Sequence, residues 1–237
     1  MPIDTTLRCL VTGANRGLGL EFTRQLLARG EHVVATCRHP GRAHALNQLA
    51  GEYPGRLHVL PLDVADPKSH AELVRELPLV LGRKPIHLLV NNAGVLHSGE
   101  RFGTVDPAIL LDSLRINAMG PFLLTQALAP LLAGGGKVAN LSSELGSIAG
   151  VQTFRSPSYA MSKAALNMAT RQLSKALQGP CIIVMALHPG WVRTDMGGAK
   201  AEVEPADAVA DLLRVIDRAG RDHSGKFLDR HGEPMPW

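Results

Sequence analysis

The strongest constraint on this chain is an alternation that runs almost from end to end. Short apolar runs lie at Arg8–Thr12, His32–Thr36, Leu57–Pro61, His87–Asn91, Lys137–Leu141 and Cys181–Leu187, with a brief last one at Lys226–Leu228. Between them come longer stretches of helical period, at about Leu18–Arg29, Lys68–Leu81, Pro107–Leu132, Ser158–Leu177 and Pro205–Ala219. Strand, helix and strand repeated in this way predict parallel strands joined by right-handed crossovers. Strands buried between two helical layers are apolar on both faces, as "LHVLPL" and "IIVMAL" are. The expected fold class is α/β: a doubly wound parallel sheet of about seven strands with helices on both faces.

No linker, fixed-period repeat or low-complexity segment interrupts the pattern, and Gly134–Gly136 reads as a turn between a helix and the next strand. One domain over residues 1–237 is the economical expectation. The formal charge of +4 is spread without a run of like charge, and aromatic residues make up only 4%, so no nucleic-acid partner is expected. Cys9, Cys37 and Cys181 each fall in or beside a predicted strand, the habit of buried free thiols rather than of disulfides or a metal site. The start, "MPIDTTLRCLV", has neither a charged n-region nor a long apolar h-region. Apolar runs such as "CIIVMAL" are far short of the roughly 20 residues of a membrane span. The expected setting is reducing and cytoplasmic, away from membranes.

In such a sheet, ligands bind beyond the carboxyl ends of the strands. "LRCLVTGANRGLGLEF" places Gly13, Gly17 and Gly19 where the first strand gives way to a helix. A helix N-terminus there leaves backbone N–H groups free for a pyrophosphate, provided no side chain blocks its approach. The spacing is G-x-x-x-G-x-G, not the more familiar G-x-G-x-x-G. Glycines also serve close packing in such turns, so the turn alone does not decide between the two.

Four motifs in series carry a resemblance. "TGANRGLG" (Thr12–Gly19), "NNAG" (Asn91–Gly94), "YAMSK" (Tyr159–Lys163) and "HPG" (His188–Gly190) resemble, in order and spacing, the successive motifs of the short-chain dehydrogenases/reductases. The endings "HPGWVRTDM" and "GKFLDRHGEPMPW" look most like the C-factor-like and sniffer-like carbonyl-reductase branch of that family. The resemblance covers nearly the whole chain. It implies a Rossmann-like domain, a nicotinamide dinucleotide and hydride transfer to or from a small carbonyl or alcohol substrate.

Tyr159 and Lys163 are four apart, hence on one helix face. A free tyrosine titrates near about pH 10. A neighbouring ammonium favours the phenolate, so Lys163 is expected to lower that value and let Tyr159 act as general acid or base. The resemblance also has Lys163 bonding the nicotinamide ribose. It implies that a serine in "NLSSELGS" holds the carbonyl oxygen; Ser143, followed by "ELG", is preferred, and Ser142 remains the alternative. Asn117, a poor interior helix residue, is expected to kink its helix and order a water that relays protons to Lys163. The gap from Ser143 to Tyr159 is a few residues longer than the family pattern, with "QTFRSPS" as an expected loop over the site.

For the cofactor, the resemblance implies contacts from Gly13, Asn15, Arg16, Gly17, Leu18 and Gly19 in the first turn. It adds Asp63 and Val64 at the adenine, and Asn91, Ala93 and Gly94 on the adenosine side. Near the nicotinamide it implies Tyr159, Lys163, Pro189, Gly190, Val192 and Thr194. An acidic residue at the end of the second strand would hold an unmodified ribose. Here the text is "VVATCRHP", with Arg38 in that place and Arg16 in the glycine turn, so NADP(H) is expected over NAD(H). His188 is not expected to be a second base, because that would duplicate Tyr159. The segment "GGAKAEVE" (Gly197–Glu204) is expected to be a short, flexible lid over an open site for small or apolar carbonyls.

The resemblance also implies a homodimer or homotetramer through helices around Pro107–Leu132 and Ser158–Leu177. A second reading of the same motifs is a dinucleotide-binding signalling or regulatory protein of the C-factor type with little turnover. A pure binder has no need of Tyr159 and Lys163.

Overall fold

The computed structural model describes residues 6–237. Seven parallel strands form one sheet: β1 (Arg8–Thr12), β2 (His32–Cys37), β3 (Leu57–Pro61), β4 (Ile86–Asn91), β5 (Leu132–Leu141), β6 (Ile183–His188) and β7 (Phe227–Asp229). They lie in the order β3-β2-β1-β4-β5-β6-β7. The order reverses between β1 and β4, and the crevice of a doubly wound sheet opens at such a reversal.

Alternate strand residues feed two separate cores. Cys9, Val11, Val33, Ala35, Leu88 and Val90 face α1 (Gly17–Ala28), α2 (His44–Glu52) and the last helix of the chain. Leu10, Val34, Leu89, Val138 and Val184 face α3 (Pro67–Val80), α5 (Gly120–Leu128) and α6 (Pro157–Ala176). The helix before α5 is α4 (Pro107–Leu114), and the last is α7 (Pro205–Arg218). A period of two along the strands thus fills both layers, as a sheet covered on each face requires.

Helix starts follow local chemistry where it is available. Asp66 Oδ1 accepts from Lys68 N at 2.9 Å ahead of α3, and Asp106 Oδ1 accepts from Ala108 N at 2.8 Å ahead of α4. The residue before α6, Ser156, sits at φ +44° and caps nothing. A distant carboxylate takes over: Glu100 accepts from Ser158 N at 3.3 Å and from the Ser158 hydroxyl. The residue after Ser158 is Tyr159, so Glu100 anchors the turn that carries it.

Four features differ from the sequence expectation. Helix α2 has no counterpart in it; nine residues with only Leu46 and Leu49 buried give too short a period to recognise. The long helix expected over Pro107–Leu132 is divided into α4, a π turn at Arg115–Met119, α5 and a 3-10 turn at Ala129–Leu131. The glycine triplet is a bulge inside β5 rather than a turn before it: Ile86 pairs with Leu132, and pairing resumes only at Leu88 with Lys137. Cys181 lies outside β6 at φ +62°, half-buried, with Arg221 Nη2 3.0 Å from its sulfur, whereas Cys9 and Cys37 are buried as expected.

A polar ladder crosses the middle of the sheet. Asn91 Nδ2 donates to Asn140 Oδ1 at 2.8 Å and to Thr125 Oγ1 at 3.1 Å, and Asn140 Nδ2 donates to Thr170 Oγ1 at 2.8 Å. It ties β4 and β5 to α5 and α6. No helix of the described residues is long and apolar enough to cross a membrane.

Candidate active site

A cleft of about 620 Å³ lies at the carboxyl ends of the central strands. Its floor is the first turn. Gly13 has φ +62°, and a Cβ there would sit 2.8 Å from Ala93 Cα; Gly17 has φ +53°. Both positions demand glycine for conformation, and Gly13 also for space. The side chains the turn does carry, Asn15, Arg16 and Leu18, line the cleft with them.

Across the turn stands the end of β4. Thr12 Oγ1 accepts from the backbone N–H groups of Asn92 and Ala93, each at 3.0 Å, and Asn92 Nδ2 donates to the carbonyls of Thr12 at 2.8 Å and Gly13 at 3.1 Å. Those bonds fix the glycine turn to β4. Ala93 and Gly94 continue the wall, with Asp63 and Val64 beyond β3. Pro189, Gly190, Val192 and Thr194 close the opposite side.

Two residues expected to touch a cofactor do not reach the cleft. Asn91 is turned into the sheet by strand alternation and spends its amide on the ladder to Asn140 and Thr125. Asn92, one residue on, takes the wall instead. Gly19 lies behind the turn, where a Cβ would collide with the Gly13 carbonyl and the Asn92 amide. Its task is to let α1 seat against the turn.

The cationic end differs in detail from expectation. Arg16 is paired with Asp195 at 2.9 Å, both side chains largely exposed. Arg38 lines the cleft as expected, and Arg42, from the short turn at Pro40–Arg42, joins it. Neither of these two has an ion-pair partner among the described residues.

At the other end, α6 brings Tyr159 and Lys163 beside Ser143. Lys163 Nζ lies 5.5 Å from the centre of the Tyr159 ring and donates to the Leu141 carbonyl at 2.6 Å. The two serines at the end of β5 face opposite ways. Ser142 is buried and donates to Asn167 Oδ1 at 2.6 Å; Ser143 is at the cleft, where its oxygen accepts from Leu145 N at 3.2 Å and its hydroxyl meets the Tyr159 phenol.

Electrostatics here is governed by burial. Burial pushes the Tyr159 phenol up to about 12, with the Ser143 hydroxyl pulling the other way. Burial pulls Lys163 down to about 8. In the chain by itself desolvation dominates Tyr159, and the group that opposes it is Ser143 rather than the expected Lys163. Tyr159 is a proton-bearing phenol at neutral pH. His188 lines the cleft, accepts from Glu144 N on Nδ1 at 3.2 Å, and is held below its ordinary value chiefly by burial.

Asn117 is wholly buried behind this wall, in the π turn. Its Oδ1 accepts from Val95 N at 2.8 Å, and its Nδ2 donates to Val95 O and Ser162 Oγ, both at 2.9 Å. A Cβ on Gly94 would stand 3.1 Å from Asn117 Oδ1 and 3.8 Å from Lys163 Nζ. Glycine at 94 thus keeps a gap open between the amide and the ammonium.

The expected flexible lid is instead a tied segment. Val192 bridges to Val203, Arg193 N donates to Val203 O at 2.8 Å, Trp191 Nε1 donates to Gly197 O at 2.9 Å, and Arg193 pairs with Glu204. The "QTFRSPS" loop does pass over the site and contributes Arg155 to the cleft; Phe154 meets Phe102 edge-on at 5.8 Å. Arg42, Asn92 and Arg155 escaped sequence reasoning because each sits on a loop or strand end, where no periodicity assigns a direction.

The residues fit a dinucleotide. A cradle that two side-chain-free positions keep open lies at one helix N-terminus, unpaired arginines lie at one end, and a Ser–Tyr–Lys group lies at the other. Comparison with known proteins agrees. The family model described as short chain dehydrogenase matches residues 8–205. The chain is 43% identical to C-signal of Myxococcus xanthus over 155 residues, 65% of this chain and 93% of that protein. Carbonyl reductase Sniffer of D. melanogaster superposes with a TM-score of 0.94 at 33% identity, covering 98% of this chain and 100% of that one. An NADPH-bound carbonyl reductase from chicken fatty liver gives 0.93 at 36% identity, covering 98% and 99%. Fold, cleft and comparisons agree that the chain is an oxidoreductase belonging to the short chain dehydrogenase family, in the branch of C-signal and the Sniffer-like carbonyl reductases.

Proposed function

We propose that this chain, acting as one catalytic domain over residues 1–237, is an NADP(H)-dependent carbonyl reductase that interconverts a small carbonyl compound and its alcohol. The observation that carries the reading is the convergence of Ser143, Tyr159 and Lys163 at one end of a cleft whose other end holds Arg38 and Arg42. The chemistry supplied by a bound dinucleotide is hydride transfer to the substrate carbon.

The chain's own residues do the rest. The Ser143 O–H donates to the substrate oxygen and steadies the charge that develops there. Tyr159, protonated at neutral pH, gives its proton to that same oxygen, so the carbonyl gains one hydride and one proton. In the reverse direction the phenolate takes the proton back. Lys163, held by the Leu141 carbonyl, places a positive charge beside the phenol. Asn117 acts from behind as a positioning group, and glycine at 94 leaves room between its amide and the Lys163 ammonium for a water that relays protons. Arg38 and Arg42 favour a ribose 2′-phosphate through charge-assisted bonds. NADPH in the chicken carbonyl reductase supports that preference.

Likeness to C-signal favours a second reading, a binding or signalling protein with little turnover. It is the weaker one, because it leaves the buried Tyr159–Lys163 arrangement without a purpose. The exposed Leu111, Met119, Met161 and Met168 on α4, the π turn and α6 support a homodimer or homotetramer across those helices. The free thiols suit a reducing, cytoplasmic setting.

Titration of the purified chain with NADPH and with NADH, followed by cofactor fluorescence and by a carbonyl screen, tests the proposal. Tight NADPH binding with weak NADH binding is expected, together with turnover that Tyr159→Phe abolishes. Equal binding of both would remove the roles given to Arg38 and Arg42. Binding without turnover of any carbonyl would favour the second reading.

A further inference from the structure

Apart from the cofactor cleft, the described residues form a second recess of about 320 Å³, where the end of α7 meets the turn at Arg221–His223 and the bend after β7. Its walls carry Arg214 and Arg218 from α7, His223 from the turn, and Arg230 and His231 from the bend, against a single carboxylate, Asp211. Three arginines against one aspartate leave an excess of two positive charges before either histidine is protonated.

Asp211 does not neutralise the recess; it organises it. The residue is 8% exposed, with Oδ1 accepting from Arg214 and Oδ2 from Arg230. Two guanidinium groups are thereby fixed in place with further N–H groups to spare. The Arg218 guanidinium has no partner among the described residues. His223 Nδ1 accepts from Gly220 N at 3.2 Å, so its other ring nitrogen carries the hydrogen and remains a donor. The His231 backbone is held by Asp229 Oδ1 at 2.8 Å, and its ring is unpartnered among the described residues.

Basic side chains at a helix C-terminus commonly offset its partial negative charge. That task is already performed elsewhere: Lys137 Nζ donates to the carbonyls of Ile216 and Asp217. The donors of the recess also come from three separate elements. Such an arrangement suits a tetrahedral oxyanion, with acceptors pointing several ways, better than a planar carboxylate. We propose that this recess is an anion site for the phosphate group of a small molecule, distinct from the dinucleotide cleft. Arg230 gives the two a common wall, since its Cδ lies 3.5 Å from the point a Cβ on Gly190 would occupy.

Calorimetric titration of the full chain with inorganic pyrophosphate tests this. Arg38→Ala separates the recess from the cationic end of the cleft, and Arg218→Ala/His231→Ala removes two exposed donors from the recess without touching its buried Asp211. The expected result is a site, additional to any pyrophosphate binding at the glycine turn, whose affinity falls about tenfold or more in the double variant and stays within about twofold in Arg38→Ala. Citrate is expected to bind at least about tenfold more weakly than pyrophosphate. Absence of binding, binding unchanged in the double variant, binding lost in Arg38→Ala, or citrate binding as tightly would each overturn the proposal.

Discussion

Asn117 and Val95 hold one another twice: the amide oxygen accepts from Val95 N at 2.8 Å and the amide nitrogen donates to Val95 O at 2.9 Å. This clasp fastens the π turn between α4 and α5 to the segment that follows β4. It also explains why a buried asparagine interrupts an otherwise apolar helix. Asn117→Ala leaves both half-buried Val95 groups without their protein partner, at about 1 kcal/mol for each. A fall in melting temperature together with a fall in kcat is expected from thermal unfolding and steady-state rates. A variant that melts like the parent would remove the clasp from the account.

The two adjacent serines separate cleanly by experiment. Ser143→Ala should lower kcat by about 10²–10³-fold, with only the small stability cost of the Leu145 N–H acceptor it removes. Ser142→Ala should instead lower stability by about 1–3 kcal/mol, because Asn167 Oδ1 loses its buried donor. Interchange of these two phenotypes would reverse the assignment.

The pH dependence follows from Lys163 and Tyr159. With Lys163 lowered to about 8 and Tyr159 raised to about 12, the rate of carbonyl reduction should be level through neutral pH and fall as Lys163 loses its proton near 8. A kcat/KM profile from pH 6 to about 10 reads this directly. Absence of the falling limb in Lys163→Arg would tie it to this residue.

Stability carries the same signature with its own sign. Lys163 in the folded chain titrates below its ordinary value, so the unfolded chain binds the extra proton between about 8 and 10.5 and stability from this group rises across that window. Below it, the buried charge opposes folding by roughly 3 kcal/mol. Lys163→Met should therefore melt higher than the parent at pH 7, the difference shrinking as pH rises toward about 10.5. Melting curves of both proteins across that range decide it; a parent that melts higher at pH 7 would contradict it.

Gly19 provides a test away from the cleft wall. Gly19→Ala forces a Cβ against the Gly13 carbonyl, which is backbone and cannot step aside. Displacement of the glycine turn is expected, with at least about tenfold weaker dinucleotide binding measured by fluorescence. Binding equal to that of the parent would mean that the turn tolerates the shift.

Much of this architecture was legible from residue order. The bounds of β1 and β3 coincide with the runs read from the sequence. What escaped was set by distant partners. Asn117 marks a break in its helix, as expected, but the clasp to the Val95 backbone that accompanies the π turn there is not legible from spacing. Ser142 and Ser143 are equivalent as text; their opposite directions are decided by strand register. The Tyr159–Lys163 spacing predicts proximity but not depth, and depth governs both protonation states. Arg42 and Asn92 reach the cleft from positions that no repeat pattern marks.

The Asn91–Asn140 pair has a consequence for how the chain finds its alignment. β4 and β5 meet across a bulge, where the register shifts between Ile86 and Leu88. Sliding one strand by one residue would turn its amide to the opposite face and break the Asn91–Asn140 bond. The ladder to Thr125 and Thr170 then acts as a proofreading mark: only the observed alignment joins the Asn91 and Asn140 amides to each other and to both threonines, so an error at the bulge costs buried hydrogen bonds at the centre of the sheet.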